Sequence, residues 1–447
     1  MYIEYAHIFP IYSSLSAEIS MSFNSLILLV FVSCSPHIHS LYERIRVNGI
    51  PISENEFDSL VEESKSSIEL CQKELGLEGS VSHFEVLTAL AFKHFEHSGI
   101  DVGVVEAGLG GVRDATNVFD SSQILATVVV PIGMDHAAAL GGTIESIAAA
   151  KAGIIKHKVP VIVARQSNHA AEAIVLREAS IKESTSTKVA SSVLYHIEGY
   201  DYPSQGQNKD ALKQTVLFQV SRDEDVDGLL REDGDQDDEI EASLHLVGAH
   251  QAENAATAVT TALYMATHRG MKRITMDSIK DGLAAAKLEG RFEIIGNELD
   301  QSGLPLYTIV DGAHNEDSAL CLSQTTRSCF PHAQIALVLA MASDKDHYGF
   351  CREIQKMEPS IVVFTDVAIA GTSNRSAAPG VLAGAWQGAK MNHPRKGWRC
   401  RELIQASIKA AVSKARHELT GPTDGKYKSK IILISGSLHA IGAAEDI

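Results

Sequence analysis

The sequence predicts an α/β protein in which two domains are each built on a parallel sheet. Its 447 residues are enough for two or three domains. Short apolar runs rich in β-branched residues alternate with helical patterns, which is typical of strand–helix–strand units. Chemically active side chains follow several of these runs, where parallel sheets bind their ligands. Together the three observations indicate a shared site at a sheet edge.

Seven apolar runs are predicted to be strands that end at a glycine or a polar cluster. In chain order they are Val102–Val105, Leu125–Ile132, Val159–Val163, Tyr307–Val310, Ile335–Met341, Ile361–Phe364 and Ile431–Ile434. Four polar residues lie at or just beyond such ends: Glu106, His136, Asp311 and His314. Because the carboxyl ends of parallel strands meet at one edge, we expect these residues near a ligand.

The composition argues against two classes of partner. The formal net charge is −17, which disfavours nucleic acid and anionic membranes but permits a local positive pocket for a small anion. Hydrophobic residues make up 45% of the chain, which is ordinary for a globular protein with a large core. The six cysteines show no C-x-x-C pair and no zinc spacing, so buried thiols in a reducing compartment are expected.

The first 35 residues allow two interpretations. Leu26–Val32, "LILLVFV", has the look of a signal-peptide core, and Ser33–Ser35 that of a small-residue cleavage region. The run is too short to span a bilayer, and no lysine or arginine precedes Arg44. A buried strand is the favoured interpretation, and no transmembrane helix is predicted.

Two further segments suggest domain organisation. Residues 222–241 are rich in Asp and Glu and poor in core-forming residues, so they are predicted to be an exposed, flexible excursion. The alternative, a cation-binding acidic loop, lacks the residue register of a calcium loop. Lys287–Glu293, "KLEGRFE", is predicted to be a hinge. The expected division is an atypical N-terminal segment, a central domain and a C-terminal domain: residues 1–32, 33–288 and 289–447.

Val105–Phe119, "VEAGLGGVRDATNVF", follows the first predicted strand as a phosphate loop would. It matches neither G-x-x-x-x-G-K-[ST] nor G-x-G-x-x-G, because Arg113 takes the place of the last glycine. The glycines are expected to turn the chain so that Asp114 and Asn117 face a ligand. The interpretation of the chain as a nicotinamide-dependent dehydrogenase is supported only by the predicted strands and the glycines, and it stays an alternative.

Glu106 and His136 are candidate metal ligands, because neighbouring parallel strands lie about 5 Å apart. The alternative is a satisfied carboxylate and a hydrogen-bonded histidine at a crowded sheet edge. Lys151 falls in a predicted helix that Thr143 would cap and Gly153 would end. A desolvated lysine tends to lose its proton, and a neutral amine can take up carbon dioxide to become a carbamate, which is an oxygen ligand.

Six motifs in order point to one family. They are "VVEAGLGGVRDATN", "GMDHAAALGGTIESIAAAKAGIIK", "GAHQAENAATA", "EGRFE", "VDGAHN" and "SGSLHAIG". From about Ser33 to Ile447 the chain resembles the dihydrofolate synthase and folylpolyglutamate synthase family, nearer its eukaryotic dihydrofolate synthase branch. The resemblance implies an α/β, Mur ligase-like fold, with a central parallel-sheet ATPase domain and a Rossmann-like C-terminal domain.

The resemblance also implies a reaction. In this family ATP phosphorylates a substrate carboxylate, and the amine of glutamate attacks the acyl phosphate to form an amide. We expect L-glutamate to be joined to dihydropteroate, with addition to tetrahydrofolate or a catalytically inactive form as alternatives. Mg²⁺ and ATP are the implied cofactors, a monomer is expected, and the compartment is mitochondrial or cytosolic.

Roles for individual residues follow from the same resemblance. The implied metal ligands are Ser35, Glu106 and His136, beside a carbamylated Lys151. The implied nucleotide ligands are Asn254, Arg291 and Asp311. The implied substrate contacts are Ser82, Asp114 and Lys345, with His314 as a catalytic residue. Histidine is an unusual Mg²⁺ ligand by hardness, so the family pattern alone carries the role of His136.

The sequence departs from the family in two ways. A phosphate loop of the Gly-Thr-x-Gly-Lys-Gly-Ser type should precede "SPHIHSLYERIRVNG", but Met1–Val32 contains no Gly-Lys pair. We therefore expect an N-terminally truncated central domain that lacks the first strand and helix of its sheet. Ala150 stands where glutamate is frequent, and Val112 and Arg113 stand where arginine and leucine are frequent.

Overall fold

The chain divides into two compact units, each of the predicted α/β class. The computed structural model describes residues 4–9, 30–33, 40–76, 79–134, 136–190, 193–203, 212–220, 238–368, 375–419 and 425–444. The first unit comprises Met1–His196, Val216–Ser243 and Gln251–Lys287. The second comprises Ile197–Thr215, Leu244–His250 and Leu288–Ile447.

An eight-stranded sheet forms the centre of the first unit. Its strands are β1 Glu4–Phe9, β2 Val30–Ser33, β3 Ile45–Val47, β4 Ile50–Pro51, β5 Val102–Glu106, β6 Ile124–Val129, β7 Val161–Val163 and β8 Thr187–Val189. The order across the sheet is β4-β3-β2-β5-β1-β6-β7-β8. From β2 to β8 all neighbours are parallel, while β3 and β4 pair antiparallel at one edge. Six strands therefore share one carboxyl edge.

The expectation that the sheet lacks its first strand is wrong. Strand β1 lies between β5 and β6 and pairs in parallel with both, so that Ala6 is opposite Val104 on one side and Ala126 on the other. The strand interpretation of Leu26–Val32 holds for its last residues, since β2 begins at Val30. Residues 10–29 lie outside the described part of the chain.

Buried strands and helices build the rest of this unit. Every residue of β5 and β6 is buried, which explains their continuous apolar sequence, because a parallel sheet is covered on both faces. The helices are Glu54–Leu75, His83–Ser98, Ile144–Ala152, His169–Ile181, Ala249–His268 and Met276–Ala285. In Ala249–His268 the small alanines are buried nearly throughout, which lets this helix pack closely against its neighbours.

A three-stranded sheet has the order β11-β10-β9, formed by β9 Val193–Asp201, β10 Lys213–Val220 and β11 Asp238–Leu244. The chain passes between the two units within these strands. The predicted acidic excursion ends too late, because residues 238–241 are part of β11. Residues 221–237 lie outside the described part of the chain.

The sheet of the second unit has six strands. They are β12 Glu293–Leu299, β13 Pro305–Val310, β14 Ala333–Leu339, β15 Ile361–Phe364, β16 Arg401–Ile404 and β17 Ser429–Ser435, in the order β12-β13-β17-β14-β15-β16. All neighbours are parallel except β12 with β13. The last strand, β17, lies between β13 and β14, so the order in which the strands are connected reverses there. Open α/β sheets bind ligands at such a switch point.

Helices and large side chains fill the space around this sheet. The helices are Glu316–Cys329, His347–Ile354, Pro379–Asn392, Ile408–Leu419 and Leu438–Gly442. The largest side chains of the core, Phe350, Phe364 and Trp386, are completely buried. Among all described residues, no helix combines the length and the apolar character that crossing a bilayer requires.

A buried ion pair ties the β12–β13 hairpin to β17. The side chains of Lys430 and Asp300 are 0% and 1% exposed, and the Lys430 ammonium also donates to the carbonyl of Leu419. Although burial opposes it, hydrogen bonds from Lys430 and from Ser302 and Leu304 lower the pKa of Asp300 to about 2. The stabilisation is therefore full above pH 3.8, the ordinary pKa, and is lost as the pH falls towards 2.

We expect Lys430→Met to lower the free energy of unfolding of the second unit by about 3–5 kcal/mol, because Asp300 is left buried without its cation. Both tryptophans of the chain, Trp386 and Trp398, belong to this unit, so urea denaturation followed by tryptophan emission reports on it. The exposed Lys428→Met is the matched control and should change the value by less than about 0.5 kcal/mol. Equal effects of the two variants would contradict the role of the pair.

Candidate active site

Glu106 ends β5 at the carboxyl edge of the first sheet, with only 3% of its surface exposed. The glycine-rich loop begins directly after it. Gly108 packs against the ring of Phe84, and a Cβ at this position would lie 2.6 Å from the ring. Since real Cβ atoms do not approach that closely, only glycine fits here. The contact brings the start of the His83–Ser98 helix against the loop.

Asp114 organises the loop rather than standing free of it. One carboxylate oxygen accepts the amide of Leu109 at 2.8 Å, and the other accepts the amide and hydroxyl of Thr116 at 3.0 and 2.6 Å. The sequence predicted that Asp114 faces a ligand. The structure shows a carboxylate that fixes the shape of the loop, and its role towards a ligand stays a prediction.

Ser82 caps the helix that begins at His83. Its hydroxyl accepts the amide of Glu85 at 3.2 Å, and the Glu85 carboxylate accepts the amide of Ser82 at 2.7 Å. Ser82 itself is exposed. The hydroxyl therefore lies at the surface of the helix end that contacts the glycine loop through Phe84.

Lys151 lies in the last turn of the Ile144–Ala152 helix and is 6% exposed. Thr143 caps this helix and Gly153 ends it, as predicted. The glycine loop is attached to the same helix, since the amide of Val112 donates to the carbonyl of Ala150 at 3.0 Å. Glu106 and Lys151 are thus joined through one hydrogen-bonded loop and helix.

His136 lies on an exposed loop and adopts a φ of 53°, an uncommon conformation for a residue other than glycine. Its carbonyl accepts the amides of Ala139 and Leu140 at 3.0 and 3.1 Å. Ala137 and Leu140 pack against the core cluster that contains Ile147 of the Lys151 helix. The loop that carries His136 is thereby held beside that helix.

The prediction that Glu106 and His136 follow neighbouring strands is wrong, because β1 separates β5 from β6. Two strand spacings amount to about 10 Å, so the loops after β5 and β6 must reach towards each other if both residues hold one ion. Ser35, the third predicted metal ligand, lies outside the described residues.

Among the described residues at this edge, Glu106 supplies the donor that suits Mg²⁺. Mg²⁺ prefers carboxylate oxygens, which the buried Glu106 side chain supplies, whereas imidazole is a softer ligand that suits other metals. Across the described ranges, no three His, Cys, Asp or Glu side chains group closely enough to hold a metal ion. Glu106 is accordingly the residue of this edge whose chemistry matches the predicted ion.

Asn254, predicted to bind the nucleotide, belongs to the first unit. It is buried in the Ala249–His268 helix, and its side-chain amide donates to the side-chain oxygen Oε1 of Gln251 at 3.2 Å. The other two predicted nucleotide ligands, Arg291 and Asp311, belong to the second unit, where the structure brings them together.

Asp311 follows β13 and connects three segments of the second unit. Its carboxylate oxygens accept the amides of Phe292 and Ala313, each at 2.9 Å. Its own amide donates to the carbonyl of Ile434 in β17 at 3.0 Å. Burial raises the pKa of Asp311, while the charge of Arg291 and the two amides oppose that rise.

The turn before β12 places Arg291 over the end of β13. A Cβ at Gly312 would lie 2.5 Å from Nη1 of Arg291 and 2.4 Å from the side chain of Leu438, so a larger residue here would have to displace both side chains. The amide of Gly312 donates to the carbonyl of Gly290 at 2.9 Å. Phe292 has a φ of 48°, a rare conformation for an aromatic residue. The guanidinium position thus depends on a strained, tightly bonded turn.

His314 and Lys345 lie in loops at the same carboxyl edge. Nδ1 of His314 donates to the carbonyl of Gly312 at 2.8 Å, so Nε2 carries the lone pair when the ring is neutral. Lys345 is half-buried in the loop after β14. Because β17 separates β13 from β14, these two loops start about 10 Å apart.

Sequence reasoning assigned no role to His250, although the motif "GAHQ" contains it. Burial and the charge of Arg291 lower the pKa of His250 to about 4. The ring is therefore neutral at pH 7. Nothing in the residue spacing marks it, because its electrostatic interaction with Arg291 joins positions far apart in the chain.

Comparison with known proteins identifies the family. The Mur ligase middle domain matches residues 72–262, and the Mur ligase glutamate ligase domain matches residues 290–438. The Bacillus subtilis dihydrofolate synthase/folylpolyglutamate synthase is 32% identical over 329 residues, which cover 73% of this chain and 68% of that protein. The chain belongs to this family. A probable dihydrofolate synthetase of Schizosaccharomyces pombe is 27% identical over 75% of this chain and 70% of its own length.

Solved structures share the fold of this family member. A Mycobacterium tuberculosis folylpolyglutamate synthase complexed with ADP and AMPPCP is 25% identical, with a TM-score of 0.79 over 99% of this chain and 90% of that one. Escherichia coli FolC in complex with ADP is 22% identical, with a TM-score of 0.73. At this identity the similarity establishes a shared fold and nothing further. The predicted Mur ligase-like fold is confirmed, and the dehydrogenase alternative is excluded. The nearer relation to the eukaryotic branch stays a prediction.

The close approach at Gly312 gives a test of how this family member positions Arg291. We expect Gly312→Ala to destabilise the second unit by about 1–3 kcal/mol, because the new methyl group overlaps Arg291 and Leu438. Gly384→Ala is the control: it lies in the Pro379–Asn392 helix with no atom within 4 Å of its Cβ and should be neutral or stabilising. Urea denaturation measures both, and a neutral Gly312→Ala would show that the turn can relax.

His250 should make stability depend on pH. Its pKa falls from 6.5 to about 4 on folding, so the unfolded chain binds the proton first as the pH drops. The free energy of unfolding should therefore fall between pH 6.5 and 4, by about 1–3 kcal/mol. His250→Gln should remove this part of the slope. The exposed His332→Gln is the control and should leave it intact, and identical slopes in all three proteins would contradict the assignment.

Proposed function

We propose that this chain is an ATP- and Mg²⁺-dependent ligase that joins L-glutamate to the carboxylate of dihydropteroate. Its membership of the dihydrofolate synthase/folylpolyglutamate synthase family carries the proposal. The side chains at the carboxyl edges support it, since Glu106 and Lys151 lie at one such edge and Arg291 at another.

Two transfers make up the proposed reaction. An oxygen of the substrate carboxylate attacks the γ-phosphorus of ATP, the bond to the β–γ bridging oxygen breaks, and ADP leaves with the electron pair. The neutral amine of glutamate then attacks the acyl carbon, phosphate leaves, and the nitrogen loses a proton to give the amide. Phosphoryl transfer of this kind needs positioning and neutralised charge rather than covalent help from the protein.

The chain's own residues divide this work. Glu106 would hold Mg²⁺, which when bound neutralises phosphate charge, and Lys151 would add an oxygen ligand as its carbamate. Arg291 would neutralise charge on the nucleotide, in a position fixed by the Asp311 carboxylate. Nε2 of His314 would be able to accept a proton when the glutamate amine attacks, because Nδ1 already donates to Gly312.

Folylpolyglutamate synthase activity is the second candidate. A Lacticaseibacillus casei protein of that name is 29% identical over 72% of this chain, and an Arabidopsis thaliana protein of that name is 28% identical over 64%. A non-catalytic ligand-binding form is the third candidate. It is favoured by the segment between β1 and β2, because residues 10–29 contain neither glycine nor lysine to surround a phosphate.

A ligase assay distinguishes these candidates. The whole chain is incubated with ATP, Mg²⁺ and L-glutamate, with either dihydropteroate or tetrahydrofolate, and ADP and the amide are measured by mass spectrometry. We expect one glutamate to be added to dihydropteroate. Glu106→Gln should lower kcat roughly a hundredfold or more, the scale of losing one electrostatic stabiliser. Glu96→Gln, exposed on the His83–Ser98 helix, is the control.

Each outcome selects one candidate. Amide formation with tetrahydrofolate alone would replace the proposed acceptor by the folate. No ADP with either acceptor, from a chain that still binds dihydropteroate in calorimetry, would select the non-catalytic form. Full activity of Glu106→Gln would remove this residue from the metal site while leaving the ligase assignment in place.

A further inference from the structure

A cavity of about 740 Å³ lies in the second unit at the amino-terminal edge of its sheet. Its walls include Ala333, Ser360 and Tyr427, which stand at or just before the first residues of β14, β15 and β17. Ligand pockets typically measure about 300–1,000 Å³. Strand β14 has seven residues and spans about 23 Å, so this cavity is separate from the carboxyl edge where Asp311 and His314 lie.

The charge of the lining contrasts with that of the chain. Four cationic side chains line the cavity, namely Arg327, Lys396, Arg399 and Lys426, and one carboxylate, that of Glu358, accompanies them. The chain as a whole carries a net charge of −17. A local excess of positive charge in a concave site raises the concentration of anions there.

Three of these cations are available to a ligand. Within the described part of the chain, neither Lys396 nor Arg399 nor Lys426 forms an ion pair with a carboxylate. The Glu358 carboxylate instead lies 3.8 Å from Arg395, outside the lining. Lys426 lies over the ring of Tyr427, 5.1 Å from its centroid. Cationic side chains without a carboxylate partner bind phosphate or carboxylate oxygens strongly, and the guanidinium group can do so with two parallel hydrogen bonds.

The remaining cation, Arg327, is fixed in the wall. Its guanidinium donates to the carbonyls of Met357 and Glu358, and to that of Ala333 at 3.5 Å. The wall is further stiffened by Trp398, whose indole donates to the carbonyl of Pro359 at 2.9 Å. A preformed wall lowers the entropy that a ligand loses on binding.

One buried acceptor in the lining has no partner. The side-chain oxygen of Gln334 is shielded from solvent and forms no hydrogen bond with any described residue. Leaving such a group unpaired is unfavourable by about 1–3 kcal/mol.

We propose that this cavity is a second binding site, for a small molecule with two or more anionic oxygen groups. Either a polyphosphate or a polycarboxylate provides that chemistry. The cations Lys396, Arg399 and Lys426 bind the anionic groups, and Arg327 holds the wall. The site is independent of the ligase reaction proposed above.

The two tryptophans of the chain make the site directly observable. Trp398 lines the cavity, and the ring of Trp386 lies 6.0 Å from it, so tryptophan emission reports on this edge. The whole chain is titrated with inorganic pyrophosphate and, separately, with citrate. We expect a saturable change in emission with at least one probe. Pyrophosphate alone identifies a polyphosphate site and citrate alone a polycarboxylate site.

Charge-removing variants test the assignment. Lys396→Gln with Arg399→Gln should weaken binding at least about tenfold, since two charge-assisted contacts are lost. Lys280→Gln with Lys409→Gln removes the same charge from exposed helix positions and should leave binding unchanged. Far-UV circular dichroism checks that both variants fold. No emission change with either probe, or equal binding by wild type and the Lys396/Arg399 variant, would overturn the proposal.

Discussion

The backbone hydrogen bonds on the two sides of β1 hold the first sheet together. Without this strand, β5 and β6 would each expose a row of unpaired amides and carbonyls at the centre of the sheet. The two neighbours of β1 lead to Glu106 and to the loop that carries His136. Strand β1 thus sets the distance between the two halves of the candidate metal site, although it contributes no predicted ligand.

The second sheet uses its two edges differently. At the carboxyl edge, the Asp311 carboxylate gathers backbone amides and fixes Arg291, while the lowered pKa of His250 keeps that ring neutral beside the guanidinium. At the amino edge, cations without carboxylate partners surround a cavity. A parallel sheet makes this separation possible, because its strands place all their carboxyl ends on one side and all their amino ends on the other.

The strands of the two buried sheets were predictable because parallel strands covered on both faces are apolar throughout. Val102–Val105 and Ile361–Phe364 show this clearly. Strands with few buried residues, such as β12 and β16, were missed because polar residues interrupt their apolar sequences. Family motifs identified Glu106 and Lys151 as candidates, whereas His250 became visible only through its electrostatic interaction with Arg291 in the folded structure. The prediction that β5 and β6 are neighbours was wrong because β1 lies between them, and no motif marks β1 in the sequence.

The position of β1 also has a consequence for synthesis of the chain. This strand leaves the ribosome before β5, whose partner residues follow roughly a hundred positions later. At usual translation speeds, that delay amounts to roughly 5–20 s. During this time the nascent segment has no native partner, and its eventual contacts are among the most non-local in the unit, which slows folding. An unpaired strand is prone to aggregation during this interval, and a chaperone that covers it would prevent that.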